Sequence, residues 1–395
     1  MPTNLPRLHF RTRLIIGLIA ALFGTSVFLY QMYSPRHVRA AGFTAGNLVV
    51  YRVGDGSAAL NSNATAVFLD EYTPAGLLVQ SIPLPTIVSG SNKRLTASGT
   101  ATSEGFLTRS VDGSFLVIPG YDAAPGTLSI TGSNSSTINR VIGRVDSSGN
   151  VDTSTALNDA ISGGNPRGAT STNGTDLWIS GTSTGGGIRY TTFGATTSTS
   201  LGGGVTNLRA TNIFDGQLYV SSASGTTRLA AVGTGTPTTG GQTLTSILDS
   251  GSLNGPYAFF FADLDAGVSG NDTLYVADEA VSQIRKFSLV GGIWTANGAV
   301  ASNLVRGMTG IVSGTNVTLY TQNNGTTLST LTDTSGYNAT ITGTLTANER
   351  VLPNRNAADD RAIGSQCGSA PHQCRAQVIH PGDFTARIEY IRKDH

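Results

Sequence analysis

Arg109, Arg167, Arg209 and Arg306 each lead into a run of small or β-compatible residues, as in Arg167-Gly168-Ala169-Thr170 and Arg306-Gly307-Met308-Thr309. Guanidinium groups gathered from such positions would form a cationic ring for carboxylate or phosphate groups, which they hold through paired N–H bonds. The competing role is structural, each arginine donating to carbonyls or to an Asp between neighbouring elements, because buried polar groups have to be paired. A second candidate is acidic. Asp263, Asp265 and Asp272 cluster at a spacing at which hard oxygen ligands can hold Ca²⁺. The run lacks the third alternating ligand and the distal Glu of a calcium loop, so turn formation and strand capping compete as its role. Asp278-Glu279 follows the same logic and reads as a turn at a strand end.

Other chemistry is thin. All five histidines (His9, His37, His372, His380 and His395) fall outside residues 41–371, so the body of the chain has no imidazole to serve as base or metal ligand. Gly181-Thr182-Ser183-Thr184-Gly185 has the spacing of a nucleophile elbow, but with no following helix and no histidine partner it reads as a polar turn. Cys367 and Cys374, the only cysteines, lie near His372 and His380. That spacing is too tight for the usual zinc modules, which leaves a disulfide between the two cysteines or an incidental cluster. A net charge of +1 with 12% charged residues excludes a strongly basic nucleic-acid face. No cofactor is expected apart from the Ca²⁺ alternative, and a monomer is expected.

The elements that must position these residues recur along the chain. A turn rich in Gly, Asn and Asp is followed by Leu and an aromatic or β-branched pair in Gly46-Asn47-Leu48-Val49-Val50, Asp112-Gly113-Ser114-Phe115-Leu116-Val117, Gly174-Thr175-Asp176-Leu177-Trp178-Ile179, Asp215-Gly216-Gln217-Leu218-Tyr219-Val220, Asn271-Asp272-Thr273-Leu274-Tyr275-Val276 and Asn316-Val317-Thr318-Leu319-Tyr320-Thr321. The leucines are separated by 68, 61, 41, 56 and 45 residues, the size of a four-stranded propeller blade with loop insertions. Alternating runs such as Gln283-Ile284-Arg285-Lys286-Phe287 supply further half-buried strands. The arginine-led segments supply inner strands, with Tyr257-Ala258-Phe259-Phe260-Phe261 in that place in the fifth copy.

The fold class expected is therefore all-β, a six-bladed β-propeller over residues 43–353. A ring must close or leave unpaired sheet edges. The closing blade is expected to take three strands from 46–53, 64–71 and 76–84 and its fourth from Arg350 to Leu352. Residues 354–395 read as a poorly structured tail, since charge rises there to seven basic and six acidic residues from position 346 on. At the other end, residues 1–40 hold five Arg and no acid, an apolar run from Leu14 to Tyr30, and Val38-Arg39-Ala40 before Ala41. This is the pattern of a cleaved export signal. The run is also long enough to serve as an uncleaved anchor, the one expected membrane contact.

Asp272-Thr273-Leu274-Tyr275-Val276-Ala277-Asp278 followed by Gln283-Ile284-Arg285-Lys286-Phe287-Ser288 resembles the blade signature of NHL and related six-bladed, TolB-like propellers. The body as a whole resembles secreted bacterial proteins of that architecture, most of which have no assigned activity. The resemblance implies a non-catalytic binding or structural module at the cell surface or outside it, presenting loops to a glycan, a protein or a small anionic ligand. The alternative it implies is an enzyme of the lactonase or lyase kind, which would need a channel metal held by Asp, Glu and Asn.

Overall fold

The computed structural model describes residues 42–182, 187–323, 327–350 and 378–379. Blade I is built from β1 (Leu48–Val53), β2 (Ala64–Tyr72) and β3 (Leu78–Pro83). Blade II holds β4 (Thr96–Ser98), β5 (Thr108–Arg109), β6 (Phe115–Tyr121), β7 (Arg140–Asp146) and β8 (Val151–Leu157). Blade III follows with β9 (Pro166–Ser171), β10 (Asp176–Gly181), β11 (Gly187–Thr192) and β12 (Thr199–Gly202). Blade IV has β13 (Leu208–Phe214), β14 (Gln217–Ser222), β15 (Thr227–Val232) and β16 (Leu244–Asp249), and blade V has β17 (Pro256–Ala262), β18 (Thr273–Asp278), β19 (Gln283–Val290) and β20 (Ile293–Ala301). Blade VI has β21 (Val305–Ser313), β22 (Asn316–Asn323), β23 (Thr327–Asp333) and β24 (Thr346–Arg350); β25 (Val378–Ile379) comes last in the chain.

Blades III to VI are separate four-stranded antiparallel sheets in sequence order. Short turns drive that order. At Asp215-Gly216 both residues have positive φ, 46° and 69°, the turn whose twist matches two antiparallel strands, and it joins β13 to β14. Alternation then sends one face of each strand into the contact with the next blade.

Six apolar clusters, each shared by two successive blades, make the sheets a ring. Tyr51, Leu69, Leu95 and Leu116 join blades I and II. Val117, Ile142, Ala169 and Leu177 join II and III, and Trp178, Ile188, Leu218 and Val220 join III and IV. Leu229, Leu248, Phe259 and Phe287 join IV and V, while Tyr275, Ile284, Met308 and Leu319 join V and VI. The sixth, Leu48, Val50 and Tyr72 against Tyr320 and Leu328, joins VI back to I and closes a six-bladed propeller. Removing one of these fully buried leucines leaves a cavity between rigid sheets and costs about 2–5 kcal/mol.

The closing blade differs from the sequence expectation at one strand. Its three outer strands fall as expected, but Thr346–Arg350 pairs with β23 as the outer strand of blade VI. The inner place beside β1 is taken by β25, through Val49↔Ile379 and Val50↔Val378. Two edges competed for the segment near Arg350, and β23 lies nearer along the chain. Leu352, the end of the expected strand, lies outside the described residues, as does the rest of the 354–395 segment apart from β25.

Blades I and II are fused into one nine-stranded sheet, because β4 pairs with both β2 and β6. Blade I also buries an ion pair between β1 and β2. Arg52 grips Asp70 with both its Nε and its Nη2, and its guanidinium lies 4.3 Å from the Phe68 ring centroid.

Candidate anion site at the channel mouth

In every regular blade the inner strand starts at one end of the ring and turns back at the other. Arg167, Arg209 and Arg306 are each the second residue of an inner strand, β9, β13 and β21. All three therefore stand at the entry end. Neighbouring inner strands run the same way, as the parallel bridge Phe106↔Gly168 between blades II and III shows. Gly168 permits the close approach of β9 to β13, since a Cβ there would meet the Thr211 amide at 2.9 Å.

Each arginine reaches into an adjacent blade. Arg167 Nη1 donates to Asn207 Oδ1 at 2.6 Å and to the Leu208 carbonyl at 3.4 Å. Arg209 Nη1 donates to the carbonyls of Gly255 and Pro256 at 3.1 and 3.2 Å. Arg306 Nη2 donates to Glu279, which sits in the 3₁₀ turn Glu279–Val281 after β18. These bonds are the inter-blade ties that the structural alternative foresaw, and they use only part of each guanidinium. The Nε atoms of Arg167, Arg209 and Arg306 are buried and have no acceptor among the described residues. Gln322 Nε2, at the end of β22, is in the same condition.

Tyr257 occupies the corresponding place in blade V. Its ring centroid lies 3.8 Å from the Arg209 guanidinium carbon and 5.3 Å from that of Arg306. Phe106 of blade II packs against it with ring centroids 5.7 Å apart. Blades II and V face each other across a six-bladed ring, so this pair meets across the ring axis. Burial pulls the Arg167 and Arg209 guanidiniums below their ordinary pKa, and the Tyr257 oxygen acts next and in the opposite direction on both. Both stay cationic at neutral pH.

Glu104 lies behind this group, buried, with Oε1 accepting from Tyr121 Oη and Asn165 Nδ2 and Oε2 accepting from the Ser98 amide. Burial first, and then the Glu104 charge, push the Tyr121 phenol well above its ordinary pKa. Gly105 beside it has φ +78° and lies where a side chain would run into the Tyr51 ring.

Arg109 does not join the other three. It is the last residue of the two-residue β5, and its Nε donates to the Gly113 carbonyl at the hairpin end of blade II. The shared arginine suggested a common position, but β5 is too short for the register of the longer inner strands, and Phe106 aligns with Gly168 instead.

The aspartates are not gathered around a cation. Asp272 is fully buried and its oxygens accept from the amides of Leu264 and Asp265 and from Thr273 Oγ1, at 2.6 to 3.1 Å. Asp265 Oδ1 caps its own turn by accepting from the Gly267 amide at 2.9 Å, and Asp263 is exposed. Among the described residues no group of three or more His, Cys, Asp or Glu is arranged to hold a metal ion. Ser183 of the elbow-like turn, and Cys367, Cys374, His372 and His380, lie outside the described residues. Among the described residues no helix is long and apolar enough to cross a membrane.

Sequence reasoning missed Phe106, Glu104 and Gln322, and gave Glu279 only a turn. The signal available for Glu279 was its place directly after a blade strand; its pairing with an arginine 27 residues away was not readable locally.

No protein-family model matches the chain, and no curated protein matches it. Among solved structures it is similar to one described as a candidate 6-phosphogluconolactonase from Bacteroides fragilis, with 14% identity over 78% of this chain and 82% of that one and a TM-score of 0.44. It is similar to the periplasmic gluconolactonase of Pseudomonas aeruginosa at 14% identity, covering 77% and 82%, with a TM-score of 0.43. A chain of a nidogen/laminin complex matches at 14% identity, covering 72% and 88%, with a TM-score of 0.42. At this level of likeness the fold rests on the pairing and packing of this chain's own six sheets.

Proposed function

We propose that this chain is an exported β-propeller that takes a small organic anion at the entry end of its channel. One observation carries the reading: three guanidiniums from three blades meet around Tyr257, each with a buried Nε–H that has no acceptor among the described residues. Unpaired buried donors cost about 1–3 kcal/mol each, so a fold that keeps three of them together has a use for an acceptor there. Export rests on the leader pattern of residues 1–40.

A site that holds an anion can also act on it, and Glu279 favours a second reading. Its carboxylate is 16% exposed and stands beside Arg306 at the mouth. A carboxylate there can activate water against the ester carbon of a lactone whose acid or phosphate group the arginines hold. Two of the solved structures above carry gluconolactonase descriptions; for this chain the lactonase reading stands on Glu279.

Both readings are tested on the purified full chain. Thermal melts with gluconate and with inorganic phosphate should rise with ligand concentration, and Arg209→Met should abolish the rise. Acid release from 6-phosphoglucono-δ-lactone, followed by pH-stat, decides between capture and hydrolysis: turnover lost in Glu279→Gln supports hydrolysis, and a melt shift without turnover supports capture. No shift and no turnover with either probe would remove the anion reading.

A further inference from the structure

The hairpin end of the ring is not uniform. Strands within each blade alternate in direction, so the turns that join β2 to β3, β19 to β20 and β21 to β22 all lie at this end. Large apolar side chains stand exposed at these tips. Leu77 is 66% exposed, and Leu78 and Val79 continue it along blade I. Val290 and Ile293 flank the β19–β20 turn of blade V, and Val312 stands at the β21–β22 hairpin of blade VI. Blades V, VI and I are consecutive in the ring. The tips 73–77, 291–292 and 314–315 and the loop 334–345 of this arc contain no charged residue. The exposed acids of the hairpin end, Asp112, Asp215 and Asp263, lie on the tips of blades II and IV and on the inner turn of blade V.

The N-terminal segment joins the body at this same end. The Gly42 carbonyl accepts from Gln80 Nε2 of β3 at 3.4 Å, and the Phe43 amide donates to the carbonyl of Ser147, in the turn after β7, at 2.8 Å. The Thr44 amide and Asn47 Nδ2 both donate to Glu71, which is fully buried, so the junction is built into blade I. Only residues 31–41 separate Gly42 from the apolar run Leu14 to Tyr30, and a linker of that length spans at most about 40 Å. The run is long enough to remain in a bilayer. An apolar face too small to hold a membrane by itself becomes effective on such a linker, because its contact with the lipid is then intramolecular.

We infer that the chain keeps its leader and that the arc formed by the tips of blades V, VI and I rests on the lipid bilayer that holds it. Apolar tips gain by leaving water for the headgroup and acyl boundary, and an arc without charges has no ions to dehydrate on the way. The arc lies where the leader joins the body. That coincidence favours lipid over a protein partner, for which the place of the junction is immaterial. The opposite end of the ring, with Arg167, Arg209 and Arg306, is left facing solvent. The inference is independent of the anion reading.

The test places the full chain in phosphatidylcholine vesicles whose acyl chains carry bromine, which quenches tryptophan on contact, with unbrominated vesicles as reference. Two variants report the two ends of the ring: Leu77→Trp at the arc, and Val281→Trp, likewise exposed, in the turn after β18 at the opposite end. Relative to the parent, the tryptophan added in Leu77→Trp should lose most of its emission to bromine and that in Val281→Trp none. Val312→Trp should be quenched as well, and adding Leu77→Asp and Leu78→Asp should relieve that quenching while the chain still floats with the vesicles. A chain that does not float with the vesicles would overturn the inference, as would equal quenching at both ends, or none at Leu77→Trp in a chain that floats. Quenching of Val312→Trp undiminished by the two aspartates would remove the apolar tips as its cause. A change in Leu77→Trp emission that needs no bromine and disappears on dilution would assign the arc to a second copy of the chain instead.

Discussion

The arginines at the entry end of the ring and the carboxylates at the hairpin end are in opposite states. At the hairpin end the carboxylates are saturated. Asp146 takes the amides of Ser148 and Asn150 and the Asn150 side chain. Asp272 takes two amides and a hydroxyl. Asp333 takes Tyr275 Oη, Lys286 Nζ, and the amides and hydroxyls of Ser335 and Thr342. At the entry end Arg140, Arg167, Arg209 and Arg306 each keep a buried Nε–H that no described residue accepts. A carboxylate whose oxygens are all taken by its own turn is part of the fold. A guanidinium that keeps an N–H without an acceptor is placed to meet something else. The contrast separates structure from site in a chain whose sequence offers both sets as candidates.

Asp333→Ala should show the largest effect. It strands Lys286 fully buried beside the lost partner at 2.9 Å, and urea unfolding should report a loss of about 3–5 kcal/mol. Lys286→Met in the same chain should recover much of it; a loss below about 1 kcal/mol in the single variant would remove the saturated-end half of the contrast. pH sharpens this. Burial pushes the Asp333 carboxyl up, but the bonds from Tyr275 and Lys286 outweigh it and hold it below the ordinary carboxylate range. A depressed folded value stabilises above the unfolded value, about 3.9, and that contribution fades as pH falls toward the folded value. The gap between parent and Asp333→Ala should be constant from pH 7 to 5 and narrow below about pH 4.

Asp272→Ala should cost about 1–3 kcal/mol by releasing the Leu264 and Asp265 amides, with organic-anion binding unchanged. Arg209→Met should do the reverse. Stability should fall by only about 1 kcal/mol, from the lost ring contact and carbonyl bonds, partly offset by removal of an unpaired donor, while the anion response disappears. The smallest effect is expected from Ca²⁺: at millimolar concentration the melting temperature should stay unchanged, because the oxygens of Asp272 are already used. A rise with Ca²⁺ would break the contrast from the acidic side.

The ring was legible because each blade repeats local signals. A leucine and an aromatic or β-branched pair after a turn such as Asp215-Gly216 marks a strand by itself, and six of them mark a ring. Inner strands were legible where an arginine led into small residues over a full-length strand, at Arg167, Arg209 and Arg306. Arg109 misled because blade II has only a two-residue inner strand, in which the same residue type falls at the opposite end. The closing strand was not legible, since Val378 and Ile379 carry no blade signature and pair with β1 across almost the whole length of the chain. The orientation of the arginines was beyond the sequence for a similar reason. Their direction is set by Asn207, Gly255 and Pro256, 40 to 47 residues from the arginines they hold.

The most direct measurement is ¹⁵N NMR of the arginine Nε–H signals and backbone amides of the full chain during a gluconate titration. The Nε–H resonances of Arg167 and Arg209 should move downfield together and saturate, while the Leu264 and Asp265 amides held by Asp272 stay in place. Fixed Nε–H signals, or movement centred on the Leu264 and Asp265 amides, would contradict the account.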